Sequence, residues 1–301
     1  MEKPKTVAVV GTTASGKSAL AIDIAKRFNG EVLSADSRQV YRGLDLGTAK
    51  VTPEEMDGVR HHLLDIADPA QVYTAAEYEV DATAAMLEIR HQGHLPIIAG
   101  GTFFYLDLLR GKQSPAPVEP NEEFRISLSQ YTTPELFARL QHEDPRRANT
   151  IDSQNRHRLI RALEIIQALG HVPRPKKNES PYDWLIIGLD IDKLRLYQNI
   201  HTRLCERLDA GMLAEAEGLY RAGLSLERMC ELGLEYRYMA KHLARELNHD
   251  EMVTQIELKT RKYAKRQMTW LKRDKEIEWF KPEDRTRIFH RVEHFLYGEQ
   301  S

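Results

Sequence analysis

Two short segments of this 301-residue chain carry residue types whose spacing suits work on a phosphorylated compound. Gly11-Thr12-Thr13-Ala14-Ser15-Gly16-Lys17-Ser18 sets two glycines around four residues and ends in Lys and Ser. The backbone amides of such a loop converge on a phosphate, Lys17 adds a point charge, and the Ser18 hydroxyl can hold Mg²⁺. The pattern speaks for a ligand containing a diphosphate and only weakly for ATP. The second segment is Ser34-Ala35-Asp36-Ser37-Arg38-Gln39-Val40-Tyr41. Here the Asp36 carboxylate can accept a proton, Arg38 can meet phosphate, and the Gln39 amide can pair with an adenine edge. From position alone, a capping Asp in a solvated turn explains Asp36 as well as a catalytic one does.

These loops act together only if the surrounding elements bring them together. Residues 5–10 form a continuous β-branched run closed by Gly11, a buried strand. Residues 18–28 follow with helical spacing, and Ala19, Ile22, Ala25 and Phe28 are expected on the inner face. A strand is expected over 32–35 and a helix over 74–92, with Thr74 and Glu77 spaced as a capping box. Another strand over 95–99 runs into Gly100-Gly101. This alternation predicts a parallel sheet covered on both faces, with the loops at the carboxyl ends of its strands bordering one crevice. Asp36 should therefore face the glycine-rich loop.

The alternation breaks at residues 111–120, rich in Pro and Gly, which read as a hinge. Helices over 133–142 and 156–169 follow, then a second Pro-rich loop, then a strand over 184–191 that should rejoin the sheet. The expected division is an α/β core of 1–112 and 183–301, with a small helical insertion of 113–182. After 193 the chain reads as mostly helical, with a last strand over 277–280.

Apolar residues make up 42% and charged residues 29%, and the formal net charge is −2, so a nucleic-acid partner would need local basic surfaces. Two such clusters exist. Arg156, His157, Arg158 and Arg161 lie on one helical segment, with Arg174, Lys176 and Lys177 close behind. Lys259, Arg261, Lys262, Lys265, Arg266, Lys272 and Arg273 form the second, interleaved with Tyr263 and Trp270; part of it can instead serve a diphosphate. No apolar run is long enough to span a bilayer, and with two cysteines, Cys205 and Cys230, a disulfide framework is not needed. A cytoplasmic protein without a membrane partner is expected. His61 and His62 lack the spaced partners of a zinc set, so structural hydrogen bonding is expected of them.

The two loops together resemble the tRNA dimethylallyltransferase family, in which Asp36-Ser37-Arg38-Gln39-Val40-Tyr41 recurs without change. Further segments are similar in order along nearly the whole chain: Asp45 to Lys50, His61-His62-Leu63 with Asp65, Gly100-Gly101-Thr102 with Tyr105, Arg158 to Glu164, and Thr260 to Gln267 with Thr269-Trp270. Three positions depart from the family pattern. Thr12 replaces a proline, Phe103 a glycine, and Gly233-Leu234-Glu235-Tyr236 stands where Gly-Tyr-Lys-Glu is common.

The resemblance implies a P-loop NTPase-like α/β fold with flanking helices and an inserted helical domain that contacts tRNA. It implies transfer of a dimethylallyl group from dimethylallyl diphosphate to the N6 amine of the adenosine 3′ to the anticodon, in tRNAs reading codons that begin with U. Asp36 is then the general base, and Lys17, Gly11 to Ser18 and Mg²⁺ on Ser18 hold the diphosphate. Thr102 stands where donor and flipped adenine meet. Asp36, Ser37, Arg38, Gln39, Thr102, Arg125, His157, Arg158, Leu159, Ile160 and Arg161 are the expected contacts to the anticodon stem-loop, and a monomer is expected. A P-loop small-molecule kinase shares the first motif but needs no RNA-facing clusters. A prenyltransferase acting on free adenine nucleotides needs neither the insertion nor the basic tail, and a non-catalytic RNA-binding module leaves Asp36 without purpose.

Overall fold

A computed structural model describes residues 2–114, 116–174 and 178–298. The chain divides into two compact units, Gly111–Asn178 and the rest, so the division falls a few residues from the expected 113 and 182. Lys176 and Lys177 of the first basic cluster lie outside the described residues.

The larger unit opens with β1 (Lys5–Gly11), α1 (Lys17–Phe28), β2 (Gly30–Ser34), a one-turn α2 (Pro53–Met56), β3 (His61–His62), α3 (Ala75–His91), β4 (Leu95–Ala99) and α4 (Phe103–Leu109). The smaller unit is helical: α5 (Glu122–Ser129), α6 (Thr133–Glu143), α7 (Pro145–Ala148) and α8 (Arg156–Leu169). The larger unit resumes with β5 (Asp183–Leu189), then α9 (Lys193–Asp209), α10 (Met212–Arg221), α11 (Leu226–Glu231), α12 (Leu234–Leu243) and α13 (His249–Leu271). It closes with β6 (Ile277–Phe280) and α14 (Arg285–Tyr297).

All strand pairings in the sheet are parallel, in the order β3-β2-β4-β1-β5-β6. Parallel strands need both faces covered, which is why these strands read as unbroken apolar runs. Alternate residues divide between two cores. Ala8, Val10, Leu33, Ile98 and Ile186 pack with Tyr78, Met86 and Leu106 of α3 and α4. Val7, Val9, Val32, Ile97 and Ile187 pack with Leu20 and Ile24 of α1 and Ile288 and Val292 of α14. Ala19 is exposed, contrary to expectation; Leu20, Ala21 and Ile24 fill the inner face alongside Ile22 and Ala25. That face is wider than a single stripe because the sheet and α14 enclose it. The capping box of Thr74 and Glu77 opens α3 as expected.

The register sets the ends of β1, β2 and β4 at one edge, since Val9 pairs with Ala99 and Ser34 with Ala99. The loops of 12–16, 35–40 and 100–102 leave from that edge. Gly100 permits their close approach, because a Cβ there would lie 2.2 Å from the Ala35 carbonyl oxygen.

Candidate active site

The glycine-rich loop turns between β1 and α1, with Gly16 at φ 90° in the left-handed region that glycine adopts without strain. The amides of Ala14, Gly16, Lys17 and Ser18 make no hydrogen bond among the described residues, and the last two begin a helix, where donors are left over and negative charge is favoured. The buried hydroxyls of Thr12 and Ser15 also lack partners among the described residues. Groups left unsatisfied in this way suit an anion that satisfies them. The Lys17 ammonium rests on the Thr12 carbonyl at 2.7 Å. Burial, with Arg203 nearby, lowers its pKa to about 8 against the opposing pull of Asp36.

Arg203 on α9 is a residue that motif reading missed. Its guanidinium donates to the Ala49 carbonyl at 3.1 Å and lies in the electrostatic field of Lys17 and Asp36. It lines a narrow cavity with Thr13, Ala14, Ala49, Glu235 and Thr260. One Arg among the three of an amphipathic helix gives no local signal of this placement. For Mg²⁺ the loop offers one exposed side-chain oxygen, Ser18, and the described residues hold no cluster of three carboxylate, His or Cys ligands. Such a donor set fits magnesium, which takes most of its oxygens from phosphate and water.

Asp36 is half-buried, and its Oδ1 accepts the Arg38 amide at 2.9 Å, so it caps its own turn while facing the loop cations. The Thr102 hydroxyl accepts the Ser37 amide at 3.0 Å, and the Thr102 amide donates to the Ala35 carbonyl at 3.0 Å. These bonds draw the loops after β2 and β4 together. The Arg38 guanidinium has no hydrogen bond or ion pair among the described residues. Gln39 differs from expectation: its Oε1 accepts from the Ser34 hydroxyl and its Nε2 donates to Ala49, both at 3.2 Å. Both ends of the amide expected to read a base are therefore engaged within the protein. Tyr105 stacks on buried Tyr78 with ring centroids 3.6 Å apart.

Gln267 belongs in sequence to a basic motif, yet it reaches the loop itself. Its Oε1 accepts the Thr13 amide at 2.8 Å and its Nε2 donates to the Gly101 carbonyl at 3.2 Å. Phe103 begins α4 without left-handed backbone, and its buried ring stacks on Trp270 at 5.2 Å. Of the third departure, Glu235 lies 3.4 Å from Arg207, and the buried Tyr236 hydroxyl donates to Glu215. Lys50, Asp45 and Asp65 meet as a structural cluster, with Lys50 Nζ at 2.6 and 2.5 Å from the two carboxylates.

Within the smaller unit, the residues expected to touch RNA separate into two kinds. His157 and Arg158 are exposed on the first turn of α8. Leu159 is fully buried in the core of that unit, so its side chain cannot face a ligand, and Ile160 packs against the same core. Arg125 and Arg161 are held by the buried Glu164: Arg125 Nε donates at 2.8 Å, Arg161 donates to the other oxygen, and the Asn121 amide adds a bond at 2.7 Å. Burial pushes Glu164 up in pKa, but these hydrogen bonds outweigh it and hold the carboxyl below its ordinary value. Arg156 donates to the carbonyls of Leu128 and Ser129 at 3.0 Å and closes the end of α5.

On α13 and just beyond it, Lys262, Lys265, Arg266, Lys272 and Arg273 are exposed and form no ion pair among the described residues, whereas Arg261 pairs with Glu257. His62 is 2.5 Å from buried Glu31, which His94 also contacts, and His61 Nδ1 lies 2.9 Å from the Val59 carbonyl, the structural bonding expected of His61 and His62.

A sequence model of the IPP transferase family matches residues 39–274. A tRNA dimethylallyltransferase of Trichlorobacter lovleyi is 40% identical over 92% of this chain and 93% of its own. The crystal structure of a tRNA isopentenylpyrophosphate transferase from Bacillus halodurans superposes with a TM-score of 0.72 at 35% identity, covering 98% of this chain and 96% of that one. A eukaryotic dimethylallyltransferase described as acting on tRNA superposes with a TM-score of 0.83 at 25% identity, covering 97% of this chain and 79% of that one.

Proposed function

The chain belongs to the IPP transferase family, and on that premise we propose that it transfers a dimethylallyl group from dimethylallyl diphosphate to the N6 amine of the adenosine 3′ to the anticodon, in tRNAs whose codons begin with U. The observation that carries the reading is the convergence of an anion-binding loop with a half-buried carboxylate at one sheet edge: Asp36 raises, and Arg203 lowers, the pKa of Lys17. A kinase would share the loop, but the whole-chain likeness runs to tRNA-modifying transferases.

The exocyclic amine of adenine is a poor nucleophile because its lone pair is delocalised into the ring. In the proposed step N6 attacks the allylic carbon, the C–O bond breaks, and its electron pair leaves with the diphosphate. Asp36 takes the N6 proton, assistance worth about 10²–10⁴ in rate. Thr102 holds the Asp36 loop through Ser37. As charge grows on the departing diphosphate, the amides of Gly16 to Ser18, Lys17 and Arg203 stabilise it without reorganising. Mg²⁺, held by Ser18, phosphate oxygens and water, would neutralise part of the same charge. The target base must leave its stack to reach the buried edge. Gln39 must exchange a partner if it is to read that base; the Arg38 guanidinium, with no partner among the described residues, is the readier contact. Exposed His157 and Arg158 are the positions of the smaller unit that suit RNA phosphate, and Arg125 and Arg161 act behind them by shaping α5 and α8.

Cytoplasmic location and action as a monomer belong to the proposal; Cys205 and Cys230 are free, and no described helix is long and apolar enough to cross a membrane. The test is incubation with Mg²⁺, labelled dimethylallyl diphosphate and unmodified tRNA. Label on the tRNA is expected; label on free AMP alone, or γ-phosphoryl transfer from ATP, defeats the reading.

A further inference from the structure

The anion-binding loop spends one of its amides before any ligand arrives. Lys17 Nζ sits on the Thr12 carbonyl at 2.7 Å. In loops of this kind the lysine reaches the outer phosphates of a chain, while the amides at the helix end take the inner ones. The Thr12–Thr13 limb is therefore the end toward which a third phosphate would extend. The next donor on that limb is the Thr13 amide, and Gln267 Oε1 already accepts it at 2.8 Å.

Gln267 cannot easily vacate this position. It is 5% exposed, and its Nε2 is fixed on the Gly101 carbonyl at 3.2 Å. A Cβ at Gly101 would stand 2.8 Å from that nitrogen, so the glycine makes room for the bond. The two partners also set the amide's orientation: a flipped side chain would point its NH₂ at the Thr13 N–H and its oxygen at the Gly101 carbonyl. A third phosphate would have to displace a buried acceptor and leave the far NH₂ misplaced. The amides of Ala14, Gly16, Lys17 and Ser18 have no such competitor among the described residues.

We propose that Gln267 makes this loop selective for a diphosphate over a triphosphate, closing the outer end of the cradle so that the chain takes an isoprenoid diphosphate and rejects nucleoside triphosphates. The inference rests on the reading that Gly11 to Ser18 hold the donor's diphosphate. It makes Gln267 a specificity-determining residue that shapes the loop, since it bonds the loop and the Gly101 turn and need not touch the reacting atoms.

The test is calorimetric titration of the full chain with Mg²⁺-diphosphate and with Mg²⁺-tripolyphosphate. Wild type should bind diphosphate more tightly by about tenfold or more, the loss expected when one buried hydrogen bond must be broken. Gln267→Ala should bring the two affinities within about threefold, mainly by gain of tripolyphosphate binding. Gln267→Met fills similar space without accepting the Thr13 amide and should lose the discrimination as the Ala variant does. Wild type binding both anions equally overturns the inference, as does Gln267→Ala with diphosphate binding intact and the ratio unchanged. Should Gln267→Ala fail to fold, Gln267→Met decides, because discrimination kept there is equally fatal. Wild type that binds no diphosphate at all defeats the donor-site reading itself, an outcome distinct from the others.

Discussion

The Thr102 hydroxyl accepts the Ser37 amide at 3.0 Å, so one side chain at the end of β4 sets the path of the loop that carries Asp36. The Thr102 amide and the Ala35 carbonyl add a second tie at 3.0 Å. Thr102→Val removes the acceptor and leaves the Ser37 N–H without its partner, a loss of about 1–3 kcal/mol. A fall in kcat of roughly ten- to a hundredfold is expected, with Thr102→Ser close to wild type. Steady-state kinetics with saturating donor checks this, and equal activity of the Val and Ser variants would remove Thr102 from the argument.

Asp36→Asn retains an oxygen for the Arg38 amide and so preserves the turn, but it cannot take a proton. Single-turnover transfer should fall by about 10²–10⁴, with tRNA affinity by filter binding largely unchanged. A variant that keeps most of its rate would mean that another group is the base.

Lys17 titrates near pH 8 in the free protein because burial and Arg203 outweigh the attraction of Asp36. Below that pH the ammonium is present to meet a diphosphate; above it the free protein must first take up a proton. Affinity for diphosphate should therefore weaken by up to about tenfold per pH unit once the pH passes 8. Titrations at several pH values decide it, and a flat profile between pH 7 and 9.5 would contradict the assignment.

Arg158 and Arg125 should behave differently. Arg158→Ala removes an exposed charge, so it should weaken tRNA binding, lower the salt slope by about one, and leave the melting temperature unchanged. Arg125→Ala leaves the buried Glu164 short of a partner and should cost about 1–3 kcal/mol of stability. Thermal melts beside salt-dependent binding separate the two; the reverse pattern would show that Arg125 faces RNA directly.

Glu31 is buried against His62 and His94. Burial pushes its pKa up, but the two histidine hydrogen bonds outweigh that and hold it below the ordinary glutamate value. A lowered carboxyl pKa stabilises the fold fully above the unfolded-state value and loses that contribution as pH falls through the folded-state one. Wild type should therefore lose more stability than Glu31→Gln between about pH 5 and pH 3. Urea unfolding at those pH values tests this, and parallel curves for the two proteins would rule it out.

Much of this fold is written locally. The β-branched run before Gly11, the helical spacing after Ser18 and the box of Thr74 with Glu77 each concern residues that are neighbours in the chain, where period and turn chemistry decide conformation. The elements that escaped notice were those with weak local signal. β3 is two residues long and is a strand only because β2 lies beside it.

The sequence by itself determined the glycine-rich loop with its Lys and Ser, the carboxylate on the loop after the next strand, and the sheet edge where both emerge, because glycine spacing and strand alternation act over a few residues. The tertiary structure alone decided which of the charged and polar groups are still available. Gln267 meets Thr13 across 254 residues, Arg203 arrives from α9, and Glu164 ties up two arginines that look free in the sequence. Availability depends on which distant side chain desolvates or pairs a group, and that follows from packing, which no local pattern encodes.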